Sequence, residues 1–352
     1  MHRKLRHVPY GTWPCPAPDG TGLRRREFLR RAALAAGVLP WLARAETWRA
    51  LAAAPPKALR GIFAILATPF NRNDQVDWED LEREVDFCVR AGAQGVVWPQ
   101  LSAEFYLLTE EERLRGSEVL VRAAAGRLPV VIGVQAPARE LAVKFARYAQ
   151  EKGADAVIAL PPYLGQVSLE AATDYYRALA RAVKLPVIIQ NSGGSWGPAL
   201  PTSLVIQLAK ENPQLGYVKE EVSPVAHRLA EYARSGVVTG IFSGNAAVNL
   251  LNELPRHTSG SMPACEFVDI DAQVYELATA GKTEEARALF LKLLPMIKME
   301  ETYGVAFVKT VLVRRGIFKT ARLRGAAGSS LDAVDEQELD AWWKQLAVHF
   351  KV

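Results

Sequence analysis

The sequence predicts an α/β fold, a closed eight-stranded parallel (β/α)₈ TIM barrel followed by a C-terminal helical segment, and three observations predict it. From Gly61 onward, short apolar runs alternate with amphipathic helical patterns, as when parallel strands are joined by right-handed helical crossovers. Glycine-containing phrases such as Ala91-Gly92-Ala93-Gln94-Gly95 and Lys152-Gly153-Ala154-Asp155-Ala156 end a helix and start a strand. After Asp269 the strand signal stops and helical patterns continue to the C-terminus. An open doubly wound sheet is the competitor, but no Gly-x-Gly-x-x-Gly follows the first strand.

Taken in order, the apolar runs read as buried strands at Ile62-Phe63-Ala64-Ile65-Leu66, Gly95-Val96-Val97-Trp98, Val130-Val131-Ile132-Gly133-Val134, Ala156-Val157-Ile158-Ala159-Leu160, Pro186-Val187-Ile188-Ile189, Gly216-Tyr217-Val218-Lys219 and Val237-Val238-Thr239-Gly240-Ile241. An eighth is expected around His257 to Met262, where the apolar signal is weak. Trp78 to Val85 shows helical spacing, with Asp77 as its N-cap. Ala272 to Leu294, Tyr303 to Arg315 and Glu336 to Phe350 read as the C-terminal helices. The implied boundaries are a leader at 1–45, a linker at 46–60, the barrel at 61–270 and the helical segment at 271–352.

The chain has 352 residues, is 49% hydrophobic and carries a net charge of +5, enough apolar content for a large core. The positive charge is not spread. Residues 1–45 hold nine Lys/Arg against Asp19 and Glu27, leaving 34 basic and 36 acidic residues for the rest. Nucleic-acid binding therefore loses its support. The leader has a basic run, Arg24-Arg25-Arg26-Glu27-Phe28-Leu29-Arg30-Arg31, an apolar stretch from Ala32 to Leu42, and Ala43-Arg44-Ala45, which resembles a twin-arginine export signal cleaved after Ala45. The apolar stretch is well short of the roughly 20 residues that span a bilayer. The expectation is a periplasmic or exported protein with no membrane attachment after cleavage; a retained basic amphipathic helix is the alternative.

Cys15 lies in the leader, and Cys88 and Cys265 make no disulfide framework. None of the five histidines is spaced to share a helix face with another, so no metal is expected; the covalent lysine chemistry considered below carries the expectation of no dissociable cofactor.

In parallel barrels, reactive groups sit at the C-terminal ends of the strands. The segments there are Ala67-Thr68-Pro69-Phe70, Gln100-Leu101-Ser102-Ala103-Glu104, Gln135, Pro161-Pro162-Tyr163, Gln190-Asn191-Ser192-Gly193-Gly194, Lys219-Glu220-Glu221, Ser243-Gly244-Asn245 and Ser259-Gly260-Ser261-Met262-Pro263. Lys219 alone among the rim lysines directly continues an apolar strand, which puts its amine in the barrel mouth. Burial favours a neutral amine, and a neutral amine attacks a ketone to form an imine that acts as an electron sink. The plain alternative is a solvated lysine at a strand end. Asn191, Ser243 and Gly244, by their place at the rim, are expected to bind substrate.

The order Gly61-Ile62-Phe63-Ala64 with Ala67-Thr68-Pro69-Phe70, Glu104 followed by Leu108-Thr109-Glu110-Glu111-Glu112-Arg113, Pro161-Pro162-Tyr163, Leu185-Pro186-Val187-Ile188-Ile189-Gln190-Asn191, Gly216-Tyr217-Val218-Lys219-Glu220 and Phe242-Ser243-Gly244 resembles the dihydrodipicolinate synthase and N-acetylneuraminate lyase family over residues 60–325. The resemblance implies that Lys219 is a Schiff-base lysine for a 2-oxo acid such as pyruvate or a 2-keto-3-deoxy sugar acid. It implies a substrate carboxylate on the backbone amides of Leu101 and Ser102, close approach of substrate at Gly260, and a possible homo-oligomer, a tetramer or dimer.

The family's proton relay of two tyrosines and a threonine falls on Gln190, Leu164 and Leu101, and its carboxylate-binding arginine falls near Ser195. A true dihydrodipicolinate synthase is therefore not expected. Glu104, Glu220, Tyr163, Ser102 or a water on Gln190 are the candidates to move protons. Glu104 could instead cap a helix or pair with a base, Glu220 could bind rim amides, and Tyr163 could pack its loop. Trp98, Trp196 and Tyr163 are expected to cluster near the mouth. The function expected is a Schiff-base lyase of aldolase or dehydratase type. The alternatives are an exported 2-oxo acid or sugar-acid binding protein, and a barrel enzyme that uses Glu104 or Glu220 as general acid and base.

Overall fold

The computed structural model describes residues 57–325 and 330–352. The leader, its cleavage site and most of the expected linker lie outside the described residues. Eight parallel strands close into one barrel in sequence order: β1 (Gly61–Ile65), β2 (Gly95–Trp98), β3 (Val130–Gly133), β4 (Ala156–Ala159), β5 (Val187–Asn191), β6 (Tyr217–Glu220), β7 (Gly240–Ser243) and β8 (Gly260–Ser261). The crossovers are α1 (Trp78–Ala91), α2 (Glu110–Ala124), α3 (Arg139–Lys152), α4 (Leu169–Ala182), α5 (Thr202–Glu211), α6 (Val225–Ser235), the single turn α7 (Leu250–Glu253) and α8 (Val268–Thr279). Beyond them lie α9 (Thr283–Tyr303), α10 (Val305–Arg314) and α11 (Ala333–Leu346). Among the described residues no helix is long and apolar enough to cross a membrane.

Local chemistry sets the helix ends. Asp77 accepts a hydrogen bond from Asp80 N–H and caps α1, whose other end stops at Gly92 in left-handed conformation. Thr109 and Glu112 form a capping box at the start of α2, and Ser168 caps α4.

The strands divide the core in two by their two-residue period. Phe63, Ile65, Val97, Val131, Ala156, Ile158, Ile188, Phe242 and Met262 fill the barrel interior. The alternate residues, among them Ile62, Val96, Trp98, Ile132, Val157, Ile189 and Val218, face the helices. Register then fixes the site. Gln190 sits opposite Lys219, and Lys219 opposite Phe242; since Ile188 and Phe242 point inward, Gln190 and Lys219 do too.

Several element boundaries move from their sequence positions. β7 begins at Gly240, because Val237, Val238 and Thr239 form the approach from α6 rather than ladder residues. The expected helix from Ala272 to Leu294 is two, α8 and α9, separated at Gly281 with φ of 78°. Pro295, which marks a break in sequence, lies inside α9. Its lost hydrogen bond falls next to exposed Leu291, while Leu289, Leu293, Met296 and Ile297 bury the opposite face. The boundary placed at 270 falls within α8, which packs on β1 and α1 as the eighth barrel helix.

Candidate active site

Lys219 is 3% exposed, and its Nζ lies 3.1 Å from Glu221 Oε1. The two side chains meet because they are two residues apart at the end of a strand and share its inner face. Glu221 Oε2 accepts a 2.8 Å hydrogen bond from Gln190 Nε2 on the neighbouring strand. Gly244, beyond the next strand, leaves room for this carboxylate: a Cβ there would stand 2.1 Å from Glu221 Oε1. The oxygen of Gln190, Oε1, is buried without a hydrogen-bond partner among the described residues. The site thus holds an amine, a carboxylate touching it, and a free acceptor, all on the inner face of β5 and β6.

The turn after β2 forms the facing segment. Leu101–Ala103 is a 3₁₀ turn, whose first amides have no acceptor within it, so the N–H groups of Leu101 and Ser102 suit an anion. Its position is fixed from below. Gln100 Nε2 donates to Gln135 Oε1 at 3.0 Å, Gln135 Nε2 donates to the Pro99 carbonyl at 2.8 Å, and Arg113 donates to the carbonyls of Gly133 and Gln135. Burial lowers the Arg113 guanidinium to about 10. Thr68 Oγ1 donates to the Ala103 carbonyl and accepts from Trp98 Nε1, tying the turn to β1 and β2.

Several residues expected at the site do other work. Glu104 is 1% exposed and ion-paired with Lys309 of α10, and it accepts from Arg324 N–H; it is a strut between the β2 turn and the C-terminal segment. Glu220 faces outward from β6. It accepts from Tyr232 OH at 2.6 Å, Asn191 Nδ2 at 2.9 Å and Val222 N–H at 2.8 Å, and pairs with Arg228 at 3.1 Å. The general acid and base roles considered for these two glutamates are therefore corrected to structural ones.

Asn191, also outward, clamps the backbone of Leu200 through both its amide atoms rather than facing substrate. Ser243 is outward on β7, donating to Glu253 Oε2 and lying 3.0 Å from Ser261 Oγ. Gly260 opens β8, paired with Gly61 of β1 on one side and on the other with Phe242, the register partner of Lys219. A Cβ there would lie 1.9 Å from the Gly61 carbonyl oxygen, so its glycine serves strand approach.

Tyr163 stacks edge-on with Phe105 at 5.6 Å and with Trp196 at 6.0 Å, and Tyr106 joins the same group. Burial raises its phenol above the ordinary value. Trp98 does not join the cluster; it packs outward under Gly116.

Glu221 enters the site although no role was expected of it within the rim segment Lys219-Glu220-Glu221. Counting by two from Lys219 would have found it.

The family model described as "Dihydrodipicolinate synthetase family" matches residues 58–345. The "L-2-keto-3-deoxyarabonate dehydratase" of Azospirillum brasilense is 28% identical over 271 residues, 75% of this chain and 87% of that protein. The "Probable 2-dehydro-3-deoxy-D-pentonate aldolase YjhH" of Escherichia coli K12 is 30% identical over 259 residues, 72% of this chain and 86% of that protein. Among solved structures, a dihydrodipicolinate synthase from Rhodopseudomonas palustris superposes with a TM-score of 0.74 at 25% identity, covering 83% of this chain and 99% of that one.

Proposed function

Because the chain belongs to the dihydrodipicolinate synthetase family, we propose that it is a Schiff-base lyase acting on a 2-keto-3-deoxy sugar acid through Lys219. The observation that carries this is the Lys219 amine, buried on the inner face of the barrel with the Glu221 carboxylate 3.1 Å away. The named activities of the Azospirillum and Escherichia relatives support the substrate class.

In this mechanism the amine attacks the C2 carbonyl while the substrate carboxylate rests on the amides of Leu101 and Ser102. Glu221 takes the proton released by the amine and returns it to the carbinolamine hydroxyl, which leaves as water to give the iminium and a free Glu221 carboxylate. The iminium draws electrons from C3, and Glu221, held by Gln190, is the base for the C3 proton. Gln190 Oε1 accepts a hydrogen bond from a hydroxyl of the bound sugar acid. No dissociable cofactor enters; the lysine supplies the electron sink.

Lysine-biosynthetic condensation fits less well, because Gln190 cannot replace a proton-relaying phenol and Ser195 brings no charge to a second carboxylate. Borohydride reduction in the presence of pyruvate and of 2-keto-3-deoxy acids, with peptide mass mapping, tests the assignment. The expected result is a mass increment on the Lys219 peptide that disappears in Lys219→Arg; absence of labelling across the panel rejects it. Turnover of the labelling compounds separates a lyase from a binding protein.

A further inference from the structure

The turn that offers its amides to the substrate carboxylate is shaped by its own hydrogen bonds. Ala103 N–H donates to the Gln100 carbonyl at 3.0 Å, and Glu104 N–H donates to the Leu101 carbonyl at 3.0 Å. A peptide group is planar and trans, so its carbonyl and its N–H point in opposite directions. Fixing the Gln100 carbonyl therefore aims Leu101 N–H, and fixing the Leu101 carbonyl aims Ser102 N–H. Leu101 and Ser102 are partly exposed, whereas Ala103, Glu104 and Phe105 are buried. The accessible residues carry the donors, and the buried ones hold them.

Glu104 is where the two halves of this turn meet. It ends the 3₁₀ turn Leu101–Ala103 and begins the next at Phe105–Leu107, with φ of 51° and ψ of 38°. A side-chain-bearing residue keeps that left-handed conformation only where surrounding contacts hold it. Here they act on the side chain. Lys309 Nζ of α10 is ion-paired with Glu104 Oε2, and Arg324 N–H donates to Oε1 at 3.3 Å. Both members of the pair are buried, and Lys309 is the one ion-pair partner of Glu104 among the described residues. Lys309 is fixed in turn, since its Nζ donates to the Arg322 carbonyl at 2.9 Å and lies 4.4 Å from the centre of the Phe70 ring. The chain beyond α10 is fastened to the rim by Thr320 on the Phe70 carbonyl, Arg322 on Asp74 and a two-bond clamp of Arg324 on Glu112.

We infer that Lys309, in the C-terminal helical segment, is a positioning residue for substrate binding: through Glu104 it sets the direction of the Leu101 and Ser102 amides, and so the affinity of the barrel for the carboxylate of a 2-oxo acid. The C-terminal segment thereby acts on the reaction from outside the barrel. Without the ammonium, the buried Glu104 carboxylate loses its counter-charge and must reach solvent or take up a proton. Its side chain then no longer holds the backbone left-handed, and relaxation there turns the Leu101–Ser102 peptide away from the bound carboxylate. Lys219, Glu221 and Gln190 contact one another at the ends of β5 and β6, with no hydrogen bond or ion pair to Lys309 or Glu104 among the described residues. Imine formation itself is therefore preserved.

This assignment rests on the Schiff-base reading of Lys219 with the substrate carboxylate on the β2 turn, and its test keeps them apart. The two ketones compared are pyruvate and hydroxyacetone, which carries a hydroxymethyl group where pyruvate has its carboxylate. Lys309→Met keeps the length of the side chain without its charge. In this variant, borohydride trapping on Lys219 at subsaturating pyruvate should slow by about tenfold or more, the worth of a hydrogen bond to a charged group, while trapping of hydroxyacetone stays within about threefold of wild type. If Lys309→Met does not fold, Glu104→Gln, which keeps the shape of the pair and removes one charge, carries the same comparison. Pyruvate trapping within about threefold of wild type, or equal losses for the two ketones, would overturn the role. Wild-type protein that traps hydroxyacetone as readily as pyruvate would remove the carboxylate site and the role with it. Wild-type protein that traps neither ketone would instead remove the Schiff-base reading, and this assignment along with it.

Discussion

A strand turns successive side chains to opposite faces, so Lys219 and Glu221 share the barrel interior while Glu220 enters the layer between barrel and helices. The same rule separates Gln190 from Asn191 and Phe242 from Ser243. Lys219 is legible in the sequence because an apolar run leads into it. The phase of each strand was legible as well, and it assigns Asn191, Ser243 and Glu220 to structural contacts. Glu104 was not legible in that way, since its partner Lys309 lies on α10 and no local pattern joins them. Glu221→Gln preserves size and can still bond to neighbouring groups, but its amide cannot accept the C3 proton. Its kcat should fall by about 100-fold with KM changed by less than about threefold in steady-state assays. A loss confined to KM would show that Glu221 only binds substrate.

At the scale of elements, helices announced themselves through spacing and caps, as Asp77 and Gly92 did for α1. β8 could not, because only two residues pair and neither is a large apolar residue. Its place is set by the strands on either side: Gly61 is opposite Gly260, and Ser243 is opposite Ser261. Gly260 has φ of 155°, and a Cβ would collide with the Gly61 carbonyl. Gly260→Ala should therefore cost about 2–4 kcal/mol in urea unfolding, within the range of backbone strain and overpacking effects. A change below about 0.5 kcal/mol would mean that the β1–β8 seam tolerates separation. Pro295 teaches the converse lesson, for a residue that ends helices in isolation is carried within α9 by burial of its neighbours.

Over the whole molecule, buried carboxyls make stability depend on pH. Glu84 lies beneath the barrel wall, accepting from Ala67 N–H and Cys265 Sγ, and burial raises it from 4.5 to about 8. The folded state thus holds this proton more tightly than the unfolded chain. Its contribution is fully present below about pH 4.5, declines as pH rises, and is lost beyond about pH 8. Each pKa unit corresponds to about 1.4 kcal/mol, so the stability difference between wild type and Glu84→Gln should shift by a few kcal/mol between pH 5 and 8.5. Urea titrations at the two pH values measure it, and a constant difference would reject burial of an acid at this position.

The sequence by itself determined the alternation of strands and helices, the barrel class and the rim position of Lys219, because these depend on periodicity and turn chemistry within short windows. Tertiary structure decided how the barrel closes at β8, that Glu104 is held by Lys309, and that Glu220 is held by Tyr232 and Arg228. Those contacts join residues distant along the chain. Closed packing selects them, and local side-chain pattern carries no record of which distant partner will arrive.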